Sequence, residues 1–156
     1  MKKIGILGST GSIGSQSLQV MNQFPEKFDI KYLSAHNNIH GLVQQASKYK
    51  PDTVCIVNEE KKADLENALK DTNINIVSGR GALLDMSSRN DIDLVINGLV
   101  GAQGMEPTIC VIKANVNLAL ANKESLVMAG EIINQLLEKS SGKLFPIDSE
   151  HSAIWQ

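Results

Sequence analysis

The chain of 156 residues predicts an α/β fold, doubly wound, built on a mainly parallel seven-stranded sheet with helices on both faces. Three observations carry that expectation. Short apolar β-type runs alternate with stretches of helical periodicity, the pattern of parallel βαβ units. The first run, Ile4-Gly5-Ile6-Leu7, breaks directly into Gly8-Ser9-Thr10-Gly11-Ser12-Ile13-Gly14. A helical pattern then begins at once, so strand, glycine turn and helix come in the order that a Rossmann-like phosphate seat requires.

In chain order, the strands are expected at Ile4–Leu7, Asp29–Ser34, Thr53–Val57, Asn75–Val77, Leu94–Asn97, Asn117–Leu120 and Lys143–Ile147. After the glycines, Ile13, Ser17, Val20, Met21 and Phe24 recur at helical spacing until Pro25 stops the helix. Ile39, Leu42, Val43, Ala46 and Tyr49 form a second stripe, ended by Pro51. The charged stretch from Glu59 to Asp64 reads as the solvated face of a third helix. Pro107 suits the first turn of a helix through Ile109, Ile112 and Lys113. A longer helix is expected from Ser125 to Lys139, with Leu126, Ile133, Leu136 and Leu137 inward. Residues 1–150 make one domain. The pattern Ala153-Ile154-Trp155 opens with nothing left to pack against, so 151–156 read as the start of a further domain on a cut polypeptide.

A net charge of −2 and scattered basic residues argue against a nucleic-acid partner. No apolar run reaches membrane-spanning length, and Met1-Lys2-Lys3 enters a strand without a signal segment, so a soluble, cytoplasmic protein is expected. Cys55 and Cys110 both sit in apolar runs and read as buried small hydrophobes in a reducing compartment.

Each glycine of the turn has an expected task. Gly8 allows the tight turn, Gly11 lets backbone N–H groups approach a pyrophosphate, and Gly14 lets the helix pack on the sheet. Spaced three apart, they leave a wider turn that sets the hydroxyls of Thr10 and Ser12 near the phosphates. The second strand ends Leu33-Ser34-Ala35-His36-Asn37-Asn38, without the carboxylate that would hold the ribose 2′-hydroxyl of NAD. That absence favours NADP, with His36 as the one switchable cation; the alternative is that His36, Asn37 and Asn38 cap the next helix.

Asn97-Gly98-Leu99-Val100-Gly101-Ala102 follows a buried strand, and its small residues admit a flat ring or make a simple turn. Leu118 to Ser125 is another strand ending in polar groups at a helix start, where Asn122 or Ser125 caps and Glu124 suits the dipole. Lys123 opposes that dipole, which points to an anionic substrate. Asp148 and Glu150, two apart after the last strand, turn to one side and offer hard oxygen donors for Mg²⁺ or Mn²⁺; a solvated acidic turn is the other reading.

The segments GSTGSIG (8–14), ANKES (121–125) and DSEH (148–151), in this order and at these separations, resemble the 1-deoxy-D-xylulose 5-phosphate reductoisomerases. The likeness covers the whole chain, although family members are far longer, with a catalytic and a C-terminal helical domain beyond this point. The resemblance implies an NADPH-binding domain of an enzyme that rearranges and reduces 1-deoxy-D-xylulose 5-phosphate to 2-C-methyl-D-erythritol 4-phosphate in isoprenoid biosynthesis. It implies that Thr10, Gly11, Ser12 and Ile13 bind the cofactor phosphates and that Asn37 and Asn38, beside His36, form the adenosine-side loop. Asn122 and Glu124 would face NADPH. Lys123, Asp148 and Glu150 would be catalytic; Lys123, Ser149 and Glu150 would contact substrate, and Asp148 and Glu150 would hold Mg²⁺ or Mn²⁺. Such a cation polarises substrate oxygens and stabilises developing alkoxide charge.

The resemblance also implies a small phosphorylated sugar as substrate and a homodimer for the full-length protein. The third metal carboxylate and the residues for the substrate phosphate lie outside these residues, so the chain alone is expected to bind cofactor without turnover. Where many members carry a lysine in the 2′-phosphate loop, this chain has Asn37. Two rival readings remain. One is a stand-alone nucleotide-sensing module that regulates a partner through Trp155 and the open edge. The other is a semialdehyde-type dehydrogenase, for which Cys110, in mid-helix, is a poor nucleophile.

Overall fold

A computed structural model describes residues 1–147. Its elements follow as β1 (Lys2–Leu7), α1 (Ser12–Met21), β2 (Phe28–Ala35), α2 (Ile39–Tyr49), β3 (Thr53–Ile56), α3 (Lys62–Ala68), β4 (Asn75–Ser78) and α4 (Gly79–Ser87). Then come β5 (Leu94–Asn97), α5 (Met105–Lys113), β6 (Asn117–Leu120), α6 (Lys123–Leu137) and β7 (Leu144–Pro146), with 3-10 turns at Glu59–Lys61 and Gly101–Gly104. All seven strands form one sheet in the order β4-β3-β2-β1-β5-β6-β7. Every adjacent pair runs parallel.

Side chains alternate across the pleat, so the inner strands feed two cores. Ile4, Ile6, Leu33, Val54 and Ile56 join Leu18, Leu42 and Leu65 of α1, α2 and α3 on one face. Leu7, Tyr32, Cys55, Val95 and Leu118 join Leu83, Val111 and Ile133 of α4, α5 and α6 on the other. The doubly wound expectation is therefore met. Gly5 is the exception in β1: a Cβ there would overlap the Tyr32 ring, so its place in the second core is filled by that ring from β2.

The winding explains where a ligand crevice opens. From β1 the chain builds outward through β2, β3 and β4, then returns to lay β5 on the other side of β1. The connections diverge at that switch, and the carboxyl ends line up there, Leu7 beside Asn97 and Asn97 beside Leu120.

Four local expectations change. The inward face of α1 is Gly14, Leu18 and Met21, while Val20 and Phe24 are 56% and 40% exposed. The helix can approach the sheet only along its glycine, and spacings of four and three from Gly14 select that face. The charged stretch splits into the Glu59–Lys61 turn and α3, in which Leu65 alone is buried. Helix α4, hidden by its Gly-Arg-Gly start, buries Leu83 and Met86. Cys55 is fully buried, but Cys110 is only half-buried, because α5 turns Pro107, Thr108, Val111 and Ile112 inward instead.

Candidate nucleotide-binding site

The turn after β1 is made by backbone and held from behind. Gly8 takes a φ of +74°, and the Gly11 N–H donates to Gly8 O at 3.0 Å to close the turn. Behind it, the Gly8 N–H donates to Ser34 Oγ at 3.1 Å and the Ser9 N–H to Ser34 O at 2.8 Å. From α2, Gln45 accepts from Ser9 Oγ at 2.6 Å and returns its Nε2–H to Ser9 O at 2.9 Å. Strand β2 and helix α2 thus pin the loop against β1. The sequence reading missed Ser9, Ser34 and Gln45. Ser34 carried a signal, a serine at the end of an apolar strand; Gln45 carried none, being 36 residues from Ser9.

Helix α1 leaves this loop in van der Waals contact with it. A Cβ on Gly14 would lie 2.5 Å from both Gly8 O and Ser9 Cα. The glycine expected to let the helix pack on the sheet instead lets it pack on the turn itself. The N-cap of α1 is Gly11, and no side chain caps the helix. The N–H groups of Ser12 and Ile13 find no hydrogen-bond partner among the described residues. Bare donors at the positive end of a helix are the chemistry of an anion seat. Thr10 closes one flank, its Cγ2 lying 3.1 Å from where a Cβ on Gly41 would stand.

The β2–α2 loop forms the next wall. Asn38 Oδ1 accepts from the Gly41 N–H at 2.9 Å, the capping role foreseen for this loop. Asn37 Oδ1 accepts from Asn58 Nδ2 at 2.8 Å, and His36 O accepts from the Asn58 N–H at 3.0 Å. The side chain of His36 is exposed.

The opposite lip comes from the turns after β5 and β6. Asn97 is buried; its Nδ2 donates to Gly104 O at 2.9 Å and Thr108 Oγ1 at 3.0 Å, and its Oδ1 accepts from the Leu99 N–H. Asn122, 1% exposed, is engaged at both ends. Its Oδ1 accepts from the N–H and Oγ of Ser125 at 2.8 and 2.7 Å, capping α6. Its Nδ2 donates to Leu99 O at 2.6 Å and Gly101 O at 2.8 Å, tying β6–α6 to the β5–α5 turn. Arg80 at the start of α4 adds a strap, reaching Glu106 Oε2 at 2.6 Å and Gln103 O at 2.8 Å.

Lys123 is exposed and Glu124 half-buried in the first turn of α6, on the same sheet edge as the glycine turn. Asp148, Ser149 and Glu150 lie outside the described residues. Among the described residues, no group of three His, Cys, Asp or Glu side chains is placed to hold a metal ion. No helix among them is long and apolar enough to cross a membrane.

The glycine turn and uncapped start of α1 thus stand between an amide-rich wall after β2 and a pinned small-residue lip after β5 and β6. The family model for 1-deoxy-D-xylulose 5-phosphate reductoisomerase matches residues 4–130. The reductoisomerase of Chloroherpeton thalassium is 48% identical over 156 residues, all of this chain but 40% of the relative. A solved DOX-P reductoisomerase in complex with NADPH, fosmidomycin and magnesium superposes with a TM-score of 0.95 at 34% identity, over 100% of this chain and 38% of the other. The enzyme from Zymomonas mobilis in complex with NADPH gives 0.95 at 30% identity, over 99% of this chain and 41% of that one. This chain spans about two-fifths of the length of these relatives. It belongs to the 1-deoxy-D-xylulose 5-phosphate reductoisomerase family.

Proposed function

We propose that residues 1–150 are the NADPH-binding domain of a 1-deoxy-D-xylulose 5-phosphate reductoisomerase, with 151–156 opening its catalytic domain. The observation that carries this reading is the cradle at the start of α1. There the Gly14 backbone abuts Gly8 and Ser9, and the first turn of the helix has no side-chain cap. A pyrophosphate fits that seat: it accepts from the Ser12 and Ile13 N–H groups, with Thr10 and Gly11 beside it. Any side chain at position 14 would displace the helix start.

The residues then divide the cofactor. His36, Asn37 and Asn38 take the adenosine end. The lip built by Asn97 and Asn122 supports the nicotinamide end, with Glu124 nearby. Asn122 acts there through its hold on the Leu99–Gly101 backbone, since its amide is fully engaged. Lys123 faces the anionic substrate, a small phosphorylated sugar. When bound, NADPH supplies the hydride that reduces the rearranged aldehyde. Asp148 and Glu150 are proposed as two ligands of Mg²⁺ or Mn²⁺, with Ser149 on the substrate. On this reading the full-length protein is a cytoplasmic homodimer, and this chain alone binds cofactor without turning over substrate.

Calorimetric titration of the chain with NADPH and NADH tests the reading. The expected result is saturable binding of both, tighter for NADPH, with no reductoisomerase activity. Absence of saturable dinucleotide binding would overturn it.

A further inference from the structure

The 2′ substituent of the adenosine ribose is read at the carboxyl end of the second strand of such a fold, and here that place holds amides and an imidazole instead of a lysine or arginine. An amide is ambiguous: one end donates and the other accepts. The hydrogen-bond chain around Asn37 removes the ambiguity. The Glu60 N–H donates to Asn58 at 3.1 Å, so the Asn58 atom facing it is the carbonyl Oδ1. The opposite end of that amide, Nδ2, then faces Asn37 at 2.8 Å and donates, so Asn37 meets it with Oδ1. What Asn37 has left to present is its NH₂. The Asn58 N–H, donating to His36 O at 3.0 Å, keeps the two loops in register.

We infer that Asn58 is a positioning residue for cofactor choice: it turns the Asn37 amide so that its NH₂ faces the ribose 2′ position, favouring a 2′-phosphate over a 2′-hydroxyl. A phosphate oxygen only accepts at neutral pH and is served by that donor. A hydroxyl both donates and accepts, and tolerates either end of the amide. The inference rests on the dinucleotide reading above and adds to it Asn58, the cap of the Glu59–Lys61 turn after β3, which acts through Asn37.

Three measurements test it. Asn58→Asp keeps the acceptor for the Glu60 N–H but replaces the donor toward Asn37 with an acceptor, which reverses the Asn37 amide. NADPH should then bind about tenfold more weakly or worse, the size of one hydrogen bond to a charged group, while NADH holds or improves. Asn58→Ser keeps a cap without charge and cannot reach Asn37; the NADPH-to-NADH preference should fall by about two- to fivefold, as for a hydrogen bond no longer preset. In the unsubstituted chain, the Asn37 side-chain NH₂ resonances should shift with NADPH and stay put with NADH.

A preference unchanged in both variants overturns the inference. So does a loss confined to Asn58→Asp, which is charge repulsion alone, and so do Asn37 resonances that respond equally to both cofactors. Failure of the chain to bind either dinucleotide brings down the cofactor reading itself, a different outcome from binding both without preference.

Discussion

Helices α1 and α6 start on the same edge of the sheet, beside strands β1 and β6, and their first turns are finished in opposite ways. The N-cap of α1 is a glycine with no side chain to offer. The N-cap of α6 is Asn122, whose buried amide caps the helix with one end and ties down Leu99 and Gly101 with the other. An uncapped start leaves N–H donors for a ligand, so its shape must come from glycine contacts and from tethers behind it, Ser34 and Gln45. A capped start satisfies itself, and contributes a rigid lip that sets Lys123 and Glu124 at the edge. One sheet thus builds an open helix start and a lip from the same kind of junction.

The sharpest way to break that contrast is at Gly14. Gly14→Val drives a branched side chain into Gly8 O and Ser9 Cα, positions a single Cβ would already meet at 2.5 Å. Dinucleotide binding should be lost, and urea denaturation should show about 1–3 kcal/mol of destabilisation from overpacking. Retained binding would mean that the phosphates sit elsewhere. Asn122→Ala should do the reverse. It removes a cap and leaves half-buried carbonyls without donors, costing about 2 kcal/mol in the same assay, with a much smaller change in NADPH affinity. An affinity loss matching that of Gly14→Val would erase the distinction between seat and lip.

Smaller effects probe the tethers. Gln45→Ala unpairs Ser9 from α2, for an expected loss of about 1 kcal/mol, read by thermal melting, with weaker NADPH binding as the loop loosens. An unchanged affinity would show that Ser34 suffices. The smallest effect lies at the opposite edge of the sheet. There Arg89 bridges Asp52 at 2.9 Å and Asp91 at 2.7 Å, and holds the Asp91 carboxyl below the usual carboxylate range. A depressed carboxylate stabilises the fold above its ordinary pKa, and that contribution fades as pH falls through the lowered folded value. Because the pair is half in solvent, acid titration of stability should show well under about 1 kcal/mol from it below roughly pH 4. NADPH affinity of the Arg89→Ala variant at neutral pH should match that of the unsubstituted chain. A clear difference would show the two edges to be coupled.

Much of this was legible in local patterns. The β5 and β6 strands lie where their apolar runs end, at Leu94–Asn97 and Asn117–Leu120. Gly8 makes the tight turn expected of it and Gly14 allows a close helix contact, with the turn and not the sheet, because a positive φ and a vanishing Cβ are properties of single residues. Helix α4 escaped notice because two glycines in its first turn suppress its intrinsic propensity, while Leu83 and Met86 are held by the sheet they land on. The outward turn of Val20 was likewise invisible, since the helix face is chosen by the glycine that must touch the loop, and Phe24 is exposed beyond the end of α1 at Met21. On the site itself, Asn37 and Asn122 were recognised as polar groups at strand ends. Which end of each amide points where depends on Asn58, Leu99 and Gly101, none of them a sequence neighbour close enough to read.

Periodicity, turn residues and the glycine spacing are short-range, governed by the sterics of a few adjacent residues, and they determined the βαβ alternation, the ends of most strands and the seat after β1. Strand order is different. That β5 returns to lie against β1, setting the carboxyl ends at Leu7 and Asn97 side by side, follows from burying two apolar faces at once, and no window of adjacent residues encodes it. The same long-range packing brings Gln45 to Ser9 and Asn58 to Asn37, so the finish of the site was decided by tertiary structure alone.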